Sequence, residues 1–272
     1  MSLIALVVLV AIGLAVLMTI AWATQRRTGN SGWIDVIWSF ATGIAGATFA
    51  LVPVDGHVPG PRRWIMAALA LAWCARLGVH ILQRTLQGKD DPRYAALIEQ
   101  WGTSAGVKLF GFLMVQALAA LILASAVLVG AHHPSPHLRS FDWLAIAVMV
   151  VAIVGEAMAD AEVRRFSRNP ANRGKICEIG LWSVSRHPNY FFEWLGWCAW
   201  ALFAIDLSGD YPWGWLALVA PAWMYWLLVH VSGVPPLEKH MLESRGEAFR
   251  DYQRRVNAFF PGPSHSTHEH ST

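Results

Sequence analysis

The fold is decided by the stretch Leu3-Ile-Ala-Leu-Val-Val-Leu-Val-Ala-Ile-Gly-Leu-Ala-Val-Leu-Met-Thr-Ile20, which has no charged side chain and is long enough to cross a bilayer as a helix. The whole chain has this character: of its 272 residues, 55% are hydrophobic and 14% are charged, whereas soluble domains carry about 25% charged residues. Seven segments have the length and apolarity of membrane spans: 2–23, 33–53, 64–83, 107–130, 142–160, 190–206 and 213–233. The sequence predicts an all-α, polytopic membrane protein with about seven transmembrane helices.

The distribution of basic residues predicts the orientation. If the seven spans alternate and the C-terminus is cytoplasmic, 17 Lys and Arg residues fall in cytoplasmic segments, and only Arg62, Arg63 and Arg139 fall in outer loops. Basic residues are enriched on the cytoplasmic side of membrane proteins, so we expect the N-terminus outside and the C-terminus in the cytoplasm. Residues 21–23 resemble a signal cleavage site, but the apolar run before them is long and lacks a basic flank. We therefore expect a retained first helix.

Neither a Gly- or Ser-rich linker nor an internal repeat divides the sequence. We expect one membrane-embedded domain over residues 1–261 and a disordered tail rich in His, Ser and Thr over residues 262–272. The three cysteines, Cys74, Cys177 and Cys198, form no motif that predicts a disulfide or a metal site. The net charge of +3 follows from the cytoplasmic bias, so the expected partner is the membrane, with no nucleic acid and no metal.

Ionisable side chains inside the spans are costly and therefore mark candidate functional positions. The predicted spans contain Asp35, Arg76, His80, Glu156, Asp160, Glu193 and His230. They gather towards the cytoplasmic ends of the spans, which predicts a buried polar chamber that opens to the cytoplasm. The alternative is that they form ion pairs that only hold neighbouring helices together.

The strongest local motif is Gly180-Leu-Trp-Ser-Val-Ser-Arg-His-Pro-Asn-Tyr-Phe-Phe-Glu-Trp194, a loop that closes onto the start of a helix. Arg186 and His187 precede the positive end of that helix, which suits an anionic group such as a phosphate. Asn189 and Glu193 are four residues apart, so they share a helix face that could bind an amide or a ribose. Further cations precede the motif: Arg164, Arg168, Arg173 and Lys175. Lipid head groups are the alternative partner of these cations.

The motifs of soluble nucleotide-binding and hydrolytic sites are absent from the sequence. No Gly-x-Gly-x-x-Gly follows a strand pattern, and no Walker motif, His-Glu-x-x-His motif or serine nucleophile elbow occurs. A nucleotide would have to bind within the membrane domain itself.

These patterns resemble the C-terminal domain of steroid 5α-reductases, most closely its bacterial relatives of the DUF1295 type. The resemblance covers residues 70–261 and rests on four stretches: 180–194, Asp160-x-x-x-Arg164-x-x-x-Arg168, Asp90-Asp91-x-Arg93-Tyr94 and the tail 238–261. It implies NADPH, bound within the helix bundle from the cytoplasmic side of the bacterial inner (plasma) membrane. From the residue patterns and this resemblance together, the predicted cofactor-binding residues are Arg84, Asp91, Arg93, Tyr94, Asp160, Arg164, Arg168, Arg173, Lys175, Arg186, His187, Asn189, Tyr190, Glu193, Glu238, His240, Arg254 and Arg255.

The reaction that the resemblance implies is reduction of the C=C bond of an enone, such as the 4,5 double bond of 3-oxo-4-ene steroids or of a similar apolar lipid. The family holds the substrate carbonyl with a Gln-Glu pair on the second helix and a Tyr on the third. Here the second span contains Asp35, and the third contains His80 but no Tyr. We expect Asp35, kept neutral by burial, to donate to the carbonyl oxygen, with His80 as the second candidate. The steroid-like or lipid substrate would enter from the bilayer.

Two other functions are compatible with the sequence. A membrane methyltransferase of the isoprenylcysteine carboxyl methyltransferase type would use S-adenosylmethionine at a similar loop and helix, but it needs fewer phosphate-binding cations. The six basic residues between 164 and 186 therefore favour NADPH. A non-enzymatic lipid-binding or transport protein would need polar residues in both leaflets, whereas here they gather at one side.

Overall fold

The computed structural model describes residues 1–88 and 90–264. Within these ranges the chain forms ten α-helices and no β-strand, apart from an isolated bridge between Val54 and His57. The helices are α1 Leu3–Thr28, α2 Gly32–Leu51, α3 Pro61–Leu86, α4 Pro92–Trp101, α5 Ala105–Ala131, α6 Ser140–Arg168, α7 Pro188–Ala204, α8 Val219–Trp226, α9 Val234–Arg245 and α10 Glu247–Arg255. The prediction of an all-α chain is confirmed.

Six segments of the described chain are long and apolar enough to cross a bilayer: Leu3–Thr28, Gly32–Leu51, Pro61–Leu86, Arg93–Ala131, Ser140–Arg168 and Pro212–Arg245. The protein is therefore a multi-pass membrane protein, as predicted. The other expected span, 190–206, corresponds to α7, which has 17 residues. At 1.5 Å per residue α7 reaches about 26 Å, slightly less than the roughly 30 Å of a hydrocarbon core. The total of seven spans and the orientation stay predictions.

Three regions differ locally from the expected pattern of loops and helices. The loop after the third span contains α4. The sixth helix continues to Arg168, so the first cations of the expected loop lie on its last turns. The tail 234–260, which follows the last expected span, forms two short helices, α9 and α10, which are divided at Gly246 with φ of 55°. Most of the expected disordered tail, 262–272, lies outside the described residues, and so does Lys89.

The described chain consists of two compact units. Unit 1 comprises Met1–Ala145 and Trp200–Ala220, and unit 2 comprises Ile146–Ala199 and the described residues from Pro221 onward. Helices α6 and α7 each contribute residues to both units. The expectation of a single domain over residues 1–261 stays a prediction.

In unit 1, α1 has one buried face and one exposed face. The buried side chains recur at every fourth position: Leu6, Val10, Leu14 and Met18. The opposite face exposes Ile4, Val8, Ile12, Val16 and Ile20. Because the helix carries no charge until its last turn, both faces are apolar, and only packing against the protein distinguishes them. The exposed face is the one suited to lipid.

The second and third helices of unit 1 approach closely because α2 is rich in small residues. A Cβ atom on Gly43 would lie 2.2 Å from the Cβ atom of Cys74. Ala41, Ala45 and Ala70 are also buried. Small residues allow helix backbones in a membrane to pack at short distance, so there is little space between these two helices.

The three basic residues expected in the outer loops are bound to carbonyl groups of the chain. Arg63 donates to the carbonyl oxygens of Ala50, Val52 and His57, at 2.5, 2.7 and 3.1 Å. It thereby satisfies the C-terminal end of α2, whose last carbonyl groups have no partner within the helix.

Arg62 and Arg139 share one buried carboxylate, that of Asp142. Arg62 donates to Asp142 from Nε and a terminal nitrogen at 3.0 and 2.8 Å, and Arg139 donates to it at 2.9 Å. Both arginines also donate to carbonyl oxygens, among them those of Phe203 and Ile205, at 2.6 and 2.8 Å from Arg139. The end of α7 is therefore tied, within unit 1, to the turn that starts α6. This contact favours a full crossing by α7.

We predict that α7 crosses the membrane. The test uses a variant without the three native cysteines and adds one cysteine at Val58, Leu86 or Leu207, which are all exposed side chains. An impermeant maleimide applied to intact cells should label Val58→Cys and Leu207→Cys but not Leu86→Cys, because the predicted topology places only the first two outside.

Permeabilised cells provide the control, since all three variants should then react. Labelling of Leu207→Cys only after permeabilisation would show that α7 does not cross.

Candidate functional site

In unit 1, α2, α4 and α5 bring a carboxylate, a phenol and an amide together. The hydroxyl group of Tyr94 donates to Oδ1 of Asp35 at 2.7 Å, and Nε2 of Gln116 donates to the same hydroxyl oxygen at 2.9 Å. Tyr94 is only 4% exposed and belongs to the apolar core of the unit. The three side chains form one continuous hydrogen-bonded chain at a buried position.

Arg93 connects this chain of hydrogen bonds to the surface of unit 1. It donates to Oδ2 of Asp35 at 2.5 Å and to both oxygens of Asp91 at 2.9 Å. Arg84, whose side chain is half exposed, donates to Asp91 at 2.9 Å. Five of the predicted site residues are therefore joined in one network, although they come from three helices and a loop.

The environment of Asp91 shows how the network is stabilised. Asp91 caps α4 by accepting from the backbone N–H of Arg93 at 3.0 Å. Burial alone would raise the pKa of this carboxyl group, but the hydrogen bonds and the charge of Arg93, together with the charge of Arg84, hold it below its usual value. The carboxylate therefore stays ionised as the shared acceptor of two guanidinium groups.

The two predicted catalytic residues differ in their surroundings. Both oxygens of Asp35 accept hydrogen bonds, one from a guanidinium group and one from a phenol. These contacts are those of an acceptor, whereas the sequence led us to expect a neutral donor. His80 lies half-buried on α3, one turn before Arg84.

In unit 2, the loop of residues 180–187 is bound to the C-terminal segment. Tyr252 donates to the carbonyl oxygen of Trp182 at 2.5 Å, Ser185 donates to that of Phe259 at 2.9 Å, and the backbone of Gly262 donates to Val184 at 3.0 Å. The segment that follows α10 is therefore part of the structure that holds this loop.

Glu238 on α9 is the central acceptor of this contact. Its Oε1 accepts from Nε of Arg186 at 2.8 Å and lies 3.0 Å from Nε2 of His187, and its Oε2 accepts from Gln253 at 2.7 Å. Arg186 also donates to the carbonyl oxygen of Val256. The charge of Arg186, which we expected to face a phosphate, is thus directed towards a carboxylate and the backbone of the chain.

The start of α7 contains the other residues of the motif. His187 is 3% exposed, stacks on Tyr190 with ring centroids 5.5 Å apart, and has a buried Nδ1 atom without a partner among the described residues. Glu193 is buried and accepts from Nε1 of Trp197 at 2.8 Å. Asn189 is half-buried one position into the helix. The expected shared face of Asn189 and Glu193 is present, since both lie on α7.

The cations between residues 164 and 175 are the exposed part of the predicted site. Arg164 and Arg168 lie four residues apart on the last turns of α6, and Arg173 and Lys175 follow a short 3₁₀ turn, Pro170–Asn172. All four are exposed. The side chains of Arg168, Arg173 and Lys175 make no hydrogen bond or ion pair within the described part of the chain. They are therefore available to an external anion.

The remaining predicted residues of unit 2 lie on α6, α9 and α10. Asp160 is buried on α6 and His240 is exposed on α9. Arg255 donates to Glu178 at 2.8 Å, and Arg254 forms an exposed ion pair with Asp251. The two C-terminal arginines thus have carboxylate partners within the chain.

Sequence reasoning missed Gln116 and Gln253. An amide carries no charge, so neither residue stands out as an ionisable group within a span. The signal was present for Gln116, because it is the one strongly polar side chain within the apolar stretch Leu109–Leu123 of α5. Gln253 had no such signal, since it lies in a helix that is polar on most sides.

We predict that Glu238→Ala lowers the melting temperature of the detergent-solubilised protein strongly. The change leaves Arg186 and His187 without their shared acceptor, and loss of one partner of a buried ion pair costs about 3–5 kcal/mol. Differential scanning fluorimetry measures the shift.

His240→Ala, an exposed change on the same helix, is the matched control and should leave the melting temperature unchanged. Equal melting temperatures for the two variants would contradict a structural role of Glu238.

Comparison with known proteins identifies the family. Residues 21–256 match the family described as "Protein of unknown function (DUF1295)". An uncharacterized protein of Schizosaccharomyces pombe is 25% identical over 277 residues, which cover 90% of this chain and 77% of that protein. No solved structure matches the chain. Because the family match spans most of the sequence, the chain belongs to the DUF1295 family, which is part of the steroid 5α-reductase-like group.

Proposed function

We propose that this protein is an NADPH-dependent reductase of the bacterial inner membrane that reduces the C=C bond of an enone. The substrate is an apolar molecule, either a 3-oxo-4-ene steroid or a similar lipid, that enters from the bilayer. The single observation that carries the cofactor assignment is the group of exposed cations between residues 164 and 175. Membership of the steroid 5α-reductase-like group supports the reaction class.

The side chains of unit 2 fit the chemistry of NADPH. Arg168, Arg173 and Lys175, which have no partner among the residues that the structure describes, suit phosphate groups. Guanidinium groups bind phosphate oxygens in a bidentate manner. Asn189 offers an amide at the start of α7, where free backbone N–H groups also favour an anion. Arg186 and Glu238 contribute by holding the loop in place rather than by binding phosphate. NADPH, when bound, supplies the hydride that an enone reduction requires.

The chain itself must hold the substrate, place a hydrogen-bond donor at the carbonyl oxygen and exclude water. We assign the donor role to His80, because Asp35 accepts hydrogen bonds at both of its oxygens. Asp35 then acts as the group that orients Tyr94. A donor directed at an oxygen where negative charge develops is worth about 3–4 kcal/mol.

We predict that NADPH raises the melting temperature of the full chain in detergent and that S-adenosylmethionine does not. The triple variant Arg168→Ala, Arg173→Ala, Lys175→Ala should weaken NADPH binding at least about tenfold, because each charge-assisted hydrogen bond contributes roughly 1.5–3 kcal/mol. Titration of the thermal shift gives the affinities.

The matched control removes three exposed positive charges elsewhere in unit 2, by Lys239→Ala, Arg245→Ala and Arg250→Ala, and should keep the affinity for NADPH. Stabilisation by S-adenosylmethionine but not by NADPH would refute the reductase proposal and favour a membrane methyltransferase. A response to neither ligand would favour a lipid-binding or transport protein.

We predict that His80→Ala lowers kcat for a 3-oxo-4-ene steroid by about 10²–10³-fold, the usual effect of removing a donor at a developing oxyanion, while NADPH binding is retained. The oxidation of NADPH, followed by its absorbance, measures the rate. Val79→Ala, an exposed change on the same helix, is the control. Full activity of His80→Ala would remove His80 from the mechanism.

A further inference from the structure

The hydrogen-bonded chain in unit 1 has a direction that follows from the charge at one end. Asp35 pairs with Arg93, and a carboxylate in an ion pair only accepts hydrogen bonds. The single proton of the Tyr94 hydroxyl group is therefore directed at Asp35, and the hydroxyl oxygen accepts from the amide nitrogen of Gln116. This order places the amide nitrogen of Gln116 towards Tyr94 and leaves its carbonyl oxygen on the other side.

That carbonyl oxygen, Oε1 of Gln116, is buried and has no hydrogen-bond partner within the described residues. The backbone of Gln116 is also held, because Trp38 donates to its carbonyl oxygen at 3.2 Å. Burying an amide oxygen without a partner is unfavourable. The position therefore requires a donor that the described chain does not supply.

A ligand fits this position better than a water molecule. The surroundings are apolar, since Leu113, Ala117 and Ala120 belong to the same buried core as Tyr94. A buried water needs two to four polar partners. Among the groups of this network only Oε1 of Gln116 is without a partner, because the Tyr94 hydroxyl group already donates its proton to Asp35. An apolar molecule with one hydroxyl group would supply the missing donor and would present its apolar part to these apolar side chains.

We propose that Gln116 is a ligand-binding residue that accepts a hydrogen bond through Oε1 from a hydroxyl group of the substrate. Tyr94 and Asp35 hold the amide in the orientation that presents this oxygen. The substrate is then an apolar alcohol as well as an enone, with its hydroxyl group bound at α5. The enone part of this substrate rests on the proposed function, whereas binding of its hydroxyl group by Gln116 does not depend on reduction.

The experiment compares two 3-oxo-4-ene steroids that differ only at C17, one with a hydroxyl group and one with a ketone. Their tritium-labelled forms are bound at equilibrium to the full chain in detergent, without NADPH. The native protein should bind the hydroxyl form about three- to ten-fold more tightly, the range of one net neutral hydrogen bond. Gln116→Leu should bind both forms equally.

Two further variants make the result specific. Gln100→Leu, the same change at an exposed glutamine of α4, should keep the preference for the hydroxyl form. Gln116→Met retains the length of the side chain, and it should lose the preference as Gln116→Leu does. Both changes at Gln116 remove an unpaired buried oxygen, which favours the folded protein, and also the hydrogen bond to Tyr94, which disfavours it. Because these two effects oppose each other, we expect the melting temperatures to remain near that of the native protein.

Equal binding of the two steroids by the native protein would overturn the proposal, and so would a preference that persists in Gln116→Leu or Gln116→Met. Loss of folded protein in both variants would assign Gln116 to structural support instead and would also overturn it. A hydroxyl preference that depends on Gln116 in a protein that fails to oxidise NADPH would support the inference while refuting the reductase.

Discussion

A charge that is buried among apolar helices is stable only if the chain itself supplies a partner, and most of this structure follows from that requirement. Asp142 accepts from Arg62 and Arg139, Asp91 accepts from Arg84 and Arg93, and Glu238 accepts from Arg186. Each of these carboxylates joins segments that are distant in the sequence or on different helices. The ion pairs therefore decide which helix ends and loops are held together.

The same requirement separates the cations that support the fold from those that can bind a ligand. Arg186 is occupied by a carboxylate and by backbone carbonyl groups, so its position beside the start of α7 does not make it a phosphate ligand. Arg168, Arg173 and Lys175 are exposed and carry no such partner within the described chain. The proposed cofactor site thus consists of cations that form no ion pair within the described chain.

Polar groups that are buried but incompletely paired indicate function in a different way. The network around Tyr94 satisfies Asp35, Asp91 and the phenol itself, yet one oxygen of Gln116 has no partner in the described part of the chain. In an apolar core such an atom is costly. A substrate that carries a hydroxyl group would form the missing hydrogen bond when it binds. The packing of α2, α4 and α5 would therefore determine which polar group the substrate needs.

The sequence by itself determined the helical, multi-pass architecture, because an apolar run of some twenty residues has no other stable form in a bilayer. It also identified most of the polar residues that the structure joins, since charged groups in such runs are conspicuous. The pairing of these residues was decided only by the tertiary structure: Arg93 and Asp35 are 58 positions apart, and Arg62 and Asp142 are 80 apart. Local patterns extend over a few turns of helix, so they do not reveal that Asp35 is an acceptor, that Arg186 is bound to Glu238, or that the uncharged Gln116 has a free oxygen.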